Sequence, residues 1–381
     1  MLPQSISSRA SKLSRRDPTA PLRHLDPVLI GCTVILSILG VIAVYSATRG
    51  PGPDYSKSYL YKQSTFMLIG AGAMVFCSVV DYRKLHDWAW AFYGITTALL
   101  VLVVTPLGSE VNGAKSWFSL GPFQMQPAEF SKLALIGVLA FLLSEFRGDI
   151  DIRRLVALLA TAALPMALIM LQPDLGVTLI LVAIMMTMML VGGLPTKYIA
   201  VLTIVGLIGV VGALNSPLLA EYQRNRLTAF VDPSDTSNAA VYNIEQSQQA
   251  IANGGITGQG LFDGPQTKLG FVPEQQTDFI FTAVAEQFGF IGASIMLFLY
   301  GLLCYRIWRI AQVSKDAFGT YLCAGVLAMF AFSAFENVGM AMGIMPVTGI
   351  PLLLISAGGS ATITALAALG LVLNVYMRRF Q

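Results

Sequence analysis

Ten separate apolar stretches, at about 28–47, 64–80, 89–106, 127–146, 154–171, 174–193, 197–216, 277–305, 319–343 and 352–377, decide what this chain can become. Most come close to the ~20 residues with which an α-helix crosses a hydrocarbon layer about 30 Å thick. In that layer the backbone must satisfy its own hydrogen bonds, which open strands and loops cannot do. Charged residues make up 12% of the chain, about half of the ~25% usual in soluble domains, so a water-facing surface is not what this sequence encodes. The expected fold is an all-α polytopic membrane protein. Ten transmembrane helices form one domain over residues 26–381, with a long extracytoplasmic loop, 217–276, between helices seven and eight. Between the fifth and sixth stretches stands only Gln172-Pro-Asp174, either a tight turn or a re-entrant break.

Lys and Arg set the orientation. With the N-terminus in the cytoplasm, sixteen fall on inner segments and seven on outer ones, or four once the long loop is left out, so both termini are expected to be cytoplasmic. Residues 1–25 are basic and Ser-rich without a long apolar run, and read as a disordered cytoplasmic tail. The net charge of +3 is what such loops produce and gives no argument for nucleic acid. Cys32, Cys77, Cys304 and Cys323 fall in apolar stretches at no metal spacing and read as buried apolar residues. His24 and His86 lie on the inner side, which leaves carboxylates, lysine, hydroxyls and amides for chemistry on the outer face.

Charges within spans are costly and usually mark function. Glu129 and Lys132, three apart on one helix face, either neutralise each other or flank a cavity. Glu286 lies on the expected eighth helix below Asp278, and Glu336 in the ninth reads as a polar packing contact. Asp278 ends a long polar segment where an apolar helix begins. It is either a first-turn acid behind a Thr277 N-cap or a functional carboxylate at the membrane boundary.

The outer loop carries Arg224 and Arg226, suited to phosphate oxygens or to headgroups, then Tyr242-Asn-Ile-Glu-Gln-Ser247 on an apparent amphipathic helix, and Lys268. Its glycine run, Asn253 to Gly260, resembles a phosphate cradle only weakly, with no preceding strand. A second breaker-rich stretch runs from Asn337 through Pro346, Gly349 and Pro351 to Ser356 and Ser360. Pro and Gly at membrane depth free backbone groups that a cavity or protein must satisfy; over 343–351 a plain loop also accounts for them.

Five ordered motifs carry a resemblance: Gln126-Pro-Ala-Glu129-Phe-Ser-Lys132, Gln172-Pro-Asp174-Leu-Gly176, Tyr222-Gln-Arg-Asn-Arg226, Phe271-Val-Pro-Glu-Gln-Gln-Thr-Asp278-Phe-Ile-Phe281 and the Pro346–Ser360 segment. From about residue 26 onward the chain resembles the SEDS (shape, elongation, division and sporulation) family, most closely its actinobacterial RodA members. The resemblance implies a peptidoglycan glycosyltransferase of the bacterial cytoplasmic membrane that polymerises lipid II onto a growing glycan strand, beside a class B penicillin-binding protein. It implies that Asp278 is the essential aspartate and that Glu129 and Lys132 are a functional pair; the residues themselves add Gln172, Asp174, Lys115, Arg224, Arg226, Lys268, Asn337, Ser356 and Ser360 as substrate-binding or supporting candidates. Ser116 and Gln124 stand where many members carry arginine, Gln276 where they carry histidine, and Ala357 where they carry tyrosine.

No nucleotide is available outside the cell, so a sugar donor must arrive activated on a polyprenyl diphosphate. Asp278 is expected to act as general base, with positive charge from Lys132, Arg224, Arg226 or a divalent cation on Asp278 and Glu129; oxygen ligands favour Mg²⁺ or Mn²⁺. Two alternatives stay open: a lipid II flippase, and a non-catalytic scaffold for a transpeptidase.

Overall fold

The computed structural model describes residues 24–49, 57–111, 114–121, 123–214, 221–231 and 238–380. The basic tail expected over 1–25 therefore lies almost wholly outside the described residues. Among the described residues eight helices are long and apolar enough to cross a membrane: α1 (Pro27–Ala47), α2 (Ser58–Val79), α3 (Arg83–Val104), α4 (Pro127–Phe146), α5 (Ile152–Met170), α11 (Ile280–Gln312), α12 (Ala317–Ala341) and α13 (Gly359–Met377). Two shorter apolar stretches, Leu175–Val191 (α6) and Thr196–Gly209 of α7 (Thr196–Leu214), fall on the expected sixth and seventh spans.

The first and last described residues meet. His24 packs edge-on against Phe380 with ring centroids 5.1 Å apart, so residues 24 and 380 share one end of the bundle. The same end carries the Asp26–Arg306 ion pair, the 2.5 Å bond from Tyr82 Oη to Asp316 Oδ2, and Arg378 beside Asp81. An even number of crossings follows.

Helices α4, α12 and α13 are buried over most of their length, while the other long helices turn more than half of theirs outward. Outward faces carry large apolar side chains such as Leu68, Phe76, Phe290 and Phe298. Bare hydrocarbon solvates those groups, which is why a helix apolar all round belongs either in a core or in lipid.

The expected helical membrane fold stands; one small element is added to it and two boundaries are corrected. Between α3 and α4 stands an antiparallel sheet of order β1-β2-β3, formed by β1 (Ser109–Val111), β2 (Ala114–Leu120) and β3 (Phe123–Met125). β1 and β3 have three residues each, and the seven of β2, Ala-Lys-Ser-Trp-Phe-Ser-Leu, do not alternate strictly between apolar and polar, so no strand signal registers in the sequence.

The expected span 277–305 is also two pieces. α11 breaks at Gly289 (φ 64°), where a Cβ would lie 2.3 Å from Gly258 N, and Gly289 and Gly258 are both at positive φ. Only glycine permits that conformation and that approach. Residues 280–287 are buried in protein, and the 23 residues from 290 to 312 form the true crossing, about 34 Å long at 1.5 Å per residue. The glycine run thus has a structural role: Phe290 N and Ile291 N donate to Gly255 O and Ile256 O, while Gln259 N and Gly260 N donate to Glu286 O and Gln287 O.

Third, the tenth helix begins at Gly359, not near 352, and residues 344–358 form an irregular strap, buried at 347–348, 350 and 352–356, in place of a plain loop. Its backbone is answered by side chains: Asn337 Nδ2 donates to Ile350 O at 2.8 Å, Leu352 N to Ser356 Oγ at 2.9 Å, and Gln63 Nε2 to Ser356 O at 3.3 Å. The long loop also contains helices α8 (Glu221–Val231), α9 (Ala239–Gly254) and α10 (Pro265–Leu269). α9 is the expected amphipathic helix, and its Ser247 Oγ donates to Ala341 O at the end of α12.

Candidate active site

Each breaker in the sequence turns out to aim a polar group at one place. Pro127 at the first position of α4 fixes the helix start, which leaves Glu129 in the first turn and Lys132 one turn further on. Their charged atoms lie 2.6 Å apart with side chains 3% and 0% exposed. The contact falls outside hydrogen-bond geometry, and neither Glu129 Oε2 nor Lys132 Nζ has a hydrogen-bond partner among the described residues. At the head of α6, Asp174 Oδ1 accepts from Val177 N at 2.9 Å as an N-cap, and its Oδ2 accepts from Gln126 Nε2 at 2.9 Å. Gln172-Pro-Asp174 is therefore a short turn whose two ends are tied to α4 and, through Ser116 Oγ donating to Gln172 O at 3.3 Å, to β2.

Asp278 does not cap a helix. The N-cap position of α11 is Phe279, without a side-chain cap, and Thr277 Oγ1 is turned back to Glu274 O at 3.1 Å. What holds Asp278 is its backbone: its N–H donates to Glu274 O at 3.0 Å and its carbonyl accepts from Asn337 Nδ2 at 2.8 Å. Glu286 is equally occupied, accepting from Gln266 N, Thr267 N and Thr267 Oγ1 at 2.6–2.9 Å, so this buried acid fastens the loop leading to Asp278.

The freed carboxylate faces a cavity of about 370 Å³ lined by Glu129, Asp174, Arg226, Glu274 and Asp278, with Ser116, Trp117, Gln126 and Gln172 on one wall and Val347–Pro351 and Ala357–Ser360 on another. At Gly349 (φ 78°) a Cβ would sit 3.1 Å from Arg226 Nη1 and 3.3 Å from Asp278 Oδ2, so both charges crowd the same bare stretch of strap. Burial pushes the Asp278 carboxyl up to about 6; Arg226 works against that rise and Glu274 adds to it. A base poised near neutrality beside a fixed cation suits deprotonation of a hydroxyl next to a developing anion.

Of the candidates, Asp278, Glu129, Asp174, Gln172, Arg226 and Ser360 line the cavity; Ser360 Oγ accepts from Gln126 N at 2.9 Å. Lys132 stands behind Glu129, and Asn337 and Ser356 stand behind the wall as backbone anchors. Three others are placed elsewhere. Lys115 is exposed on β2 opposite Glu110, Lys268 is exposed 3.6 Å from Asp263, and Arg224 lies exposed on α8 outside the lining. Sequence reasoning gave no role to Trp117, Gln126, Glu274 or Thr348, and gave Thr277 only that of an N-cap, which it does not fill. Gln126 and Glu274 stand inside motifs already noted, whereas Trp117 had no signal apart from its short strand. Two of the unusual positions, Ser116 and Ala357, are on the cavity wall.

Among the described residues no three His, Cys, Asp or Glu side chains come together in metal-ligand geometry. Lys132 already neutralises Glu129, so the Asp278–Glu129 pair fits a cation only in part, through Asp278 with oxygens brought by a ligand.

Fold and site together define a polytopic membrane protein with a polar, carboxylate-rich cavity enclosed where helices break. The model of the FtsW, RodA and SpoVE proteins, described as cell cycle protein, matches residues 26–381. The chain is 37% identical to stage V sporulation protein E of Bacillus subtilis, covering 92% of this chain and 96% of that one. To the peptidoglycan glycosyltransferase RodA of Treponema pallidum it is 32% identical, over 93% and 98%. It also superposes on a chain from a structure described as "structural coordination of polymerization and crosslinking by a peptidoglycan synthase complex", with TM-score 0.80, 33% identity and coverage of 94% and 99%. This chain belongs to the FtsW/RodA/SpoVE family, the SEDS proteins.

Proposed function

We propose that the chain is a peptidoglycan glycosyltransferase that polymerises lipid II. The observation that carries the reading is Asp278: a carboxyl held near 6 in a polar cavity at a helix break, beside Arg226. Relatives that match over nearly the whole chain bear that activity in their names. In the proposed step Asp278 takes the proton from the acceptor GlcNAc 4-hydroxyl as its oxygen bonds to the donor MurNAc anomeric carbon. The bond from that carbon to the α-linked diphosphate breaks, undecaprenyl diphosphate leaves with the electron pair, and the new bond is β-1,4 by inversion. Arg226 lines the cavity and is the cation assigned to the leaving diphosphate; Lys132, behind Glu129, pairs with that acid at 2.6 Å and balances its charge. A Mg²⁺ or Mn²⁺ ion held by Asp278 and ligand oxygens would add positive charge there.

Orientation belongs to the proposal: both termini cytoplasmic and the cavity opening outward, supported by sixteen basic residues on inner segments against seven outside. So does a class B penicillin-binding protein as the crosslinking partner, supported by the likeness to a chain of a synthase complex. The test is reconstitution of purified protein on labelled lipid II, with and without that partner, in manganese or EDTA, comparing wild type with Asp278→Asn. Polymer from wild type alone among the two supports the reading. Movement of lipid II across vesicles without polymer would favour a flippase, and full polymer from Asp278→Asn would remove the assigned base.

A further inference from the structure

Behind the strap lies an acid that the proposed chemistry does not use. Glu336 sits in α12 with 1% of its surface exposed, next to Asn337, which anchors both the Asp278 and the Ile350 carbonyls. Its Oε1 accepts from Thr348 Oγ1 at 3.0 Å, and its Oε2 has no hydrogen-bond partner among the described residues. A contact kept only for helix packing would be expected to satisfy both oxygens, since an unmet buried polar atom costs about 1–3 kcal/mol. Thr348, for its part, lines the cavity one residue before Gly349, the position wedged between Asp278 and Arg226.

A threonine hydroxyl has one proton and two lone pairs. With Glu336 ionised, or carrying its proton on Oε2, the threonine proton is committed to Glu336 Oε1. The hydroxyl can therefore offer the cavity nothing except lone pairs. The backbone around it is closely packed: a Cβ at Gly176 would meet Thr348 O at 3.0 Å, and Gly349 holds positive φ.

We propose that Thr348 is a substrate-binding residue of fixed polarity. It accepts a hydrogen bond from a hydroxyl or amide N–H of the sugar that presents its reacting hydroxyl to Asp278, and Glu336 is the positioning residue that makes it an acceptor. The inference rests on the glycosyltransferase reading for the identity of the ligand as an amino sugar on a lipid carrier. The structure itself supplies the polarity of the site.

The experiment separates the two. Binding of lipid-linked disaccharide is measured on the Asp278→Asn background, where no turnover is needed, and polymerisation is measured on the wild-type background. Thr348→Val is expected to weaken binding and raise KM by roughly 5- to 20-fold with kcat much less affected. Thr348→Ser should recover most of that loss. Glu336→Leu should weaken binding by a similar factor, and the Thr348→Val/Glu336→Leu double variant should be no worse than either single variant. An acceptor whose amide nitrogen is replaced by oxygen and one lacking the 3-hydroxyl identify the donor: the analogue missing it binds weakly to the parent and loses nothing more with Thr348→Val. The proposal is overturned if Thr348→Val binds as the parent does, if serine rescues nothing, or if the two losses add. Absence of polymer from the wild type would count against the catalytic reading, while these binding differences would still judge Thr348.

Discussion

Replacing Asp278 by Asn should make the protein more stable and nearly inactive, and both effects follow from one displaced equilibrium. The carboxyl titrates at an ordinary 3.8 in the unfolded chain and at about 6 in the cavity. Ionisation in the folded state is therefore disfavoured, and the gap corresponds to at most about 3 kcal/mol. Contact with water in the cavity trims the usable figure to about 1–3 kcal/mol. The sign is that of a raised carboxylate: the folded state binds more protons than the unfolded one between about 3.8 and 6, so the penalty is absent below 3.8, grows through that interval and is complete above 6. Asn carries no charge, so Asp278→Asn should gain this amount at pH 7.5 and nothing near pH 3.5. Polymerisation should fall by about 10²–10⁴-fold, and wild-type activity should rise with pH through an apparent value near 6. Thermal unfolding in detergent at both pH values, with a lipid II polymerisation assay alongside, reads all three. A stability difference that is absent at pH 7.5, or the same at both pH values, would refute the account of a desolvated base.

Further outcomes follow from the packing. Lys132→Met strands the Glu129 charge in a buried site and should cost about 3–5 kcal/mol; pairing it with Glu129→Gln should recover much of that stability in a denaturation series without restoring activity. Gly289→Ala meets the backbone of Gly258 in a conformation alanine resists, so the loop bearing Asp278 should detach, read as new protease sensitivity between 253 and 278 and loss of polymer. Lys268→Ala removes an exposed pair with Asp263 and should change stability by less than about 0.5 kcal/mol in the same unfolding assay, with polymerisation within twofold of wild type.

Hydrophobicity is a local property, and it decided most of the architecture. Ten apolar runs read from composition correspond to eight long and two shorter apolar helices, because lipid demands about twenty apolar residues wherever a helix crosses it. Asp278, Glu129 and Asp174 were likewise visible, each a charge at or near the end of an apolar run, and Arg226 was visible as a cation of the polar outer loop. The tertiary structure alone decided how those charges relate. Arg226 and Asp278, fifty-two residues apart, meet at Gly349 only because the strap 344–358 stays unwound. The strap can stay so because Asn337 and Gln63 answer its peptide groups from other elements, and Ser356 answers one from within it. The break at Gly289 needs Gly258 on its far side, and Thr348 has a fixed polarity only with Glu336 behind it. Such partners are brought together by folding, so their energies depend on distances in space that a linear reading of neighbouring residues does not contain.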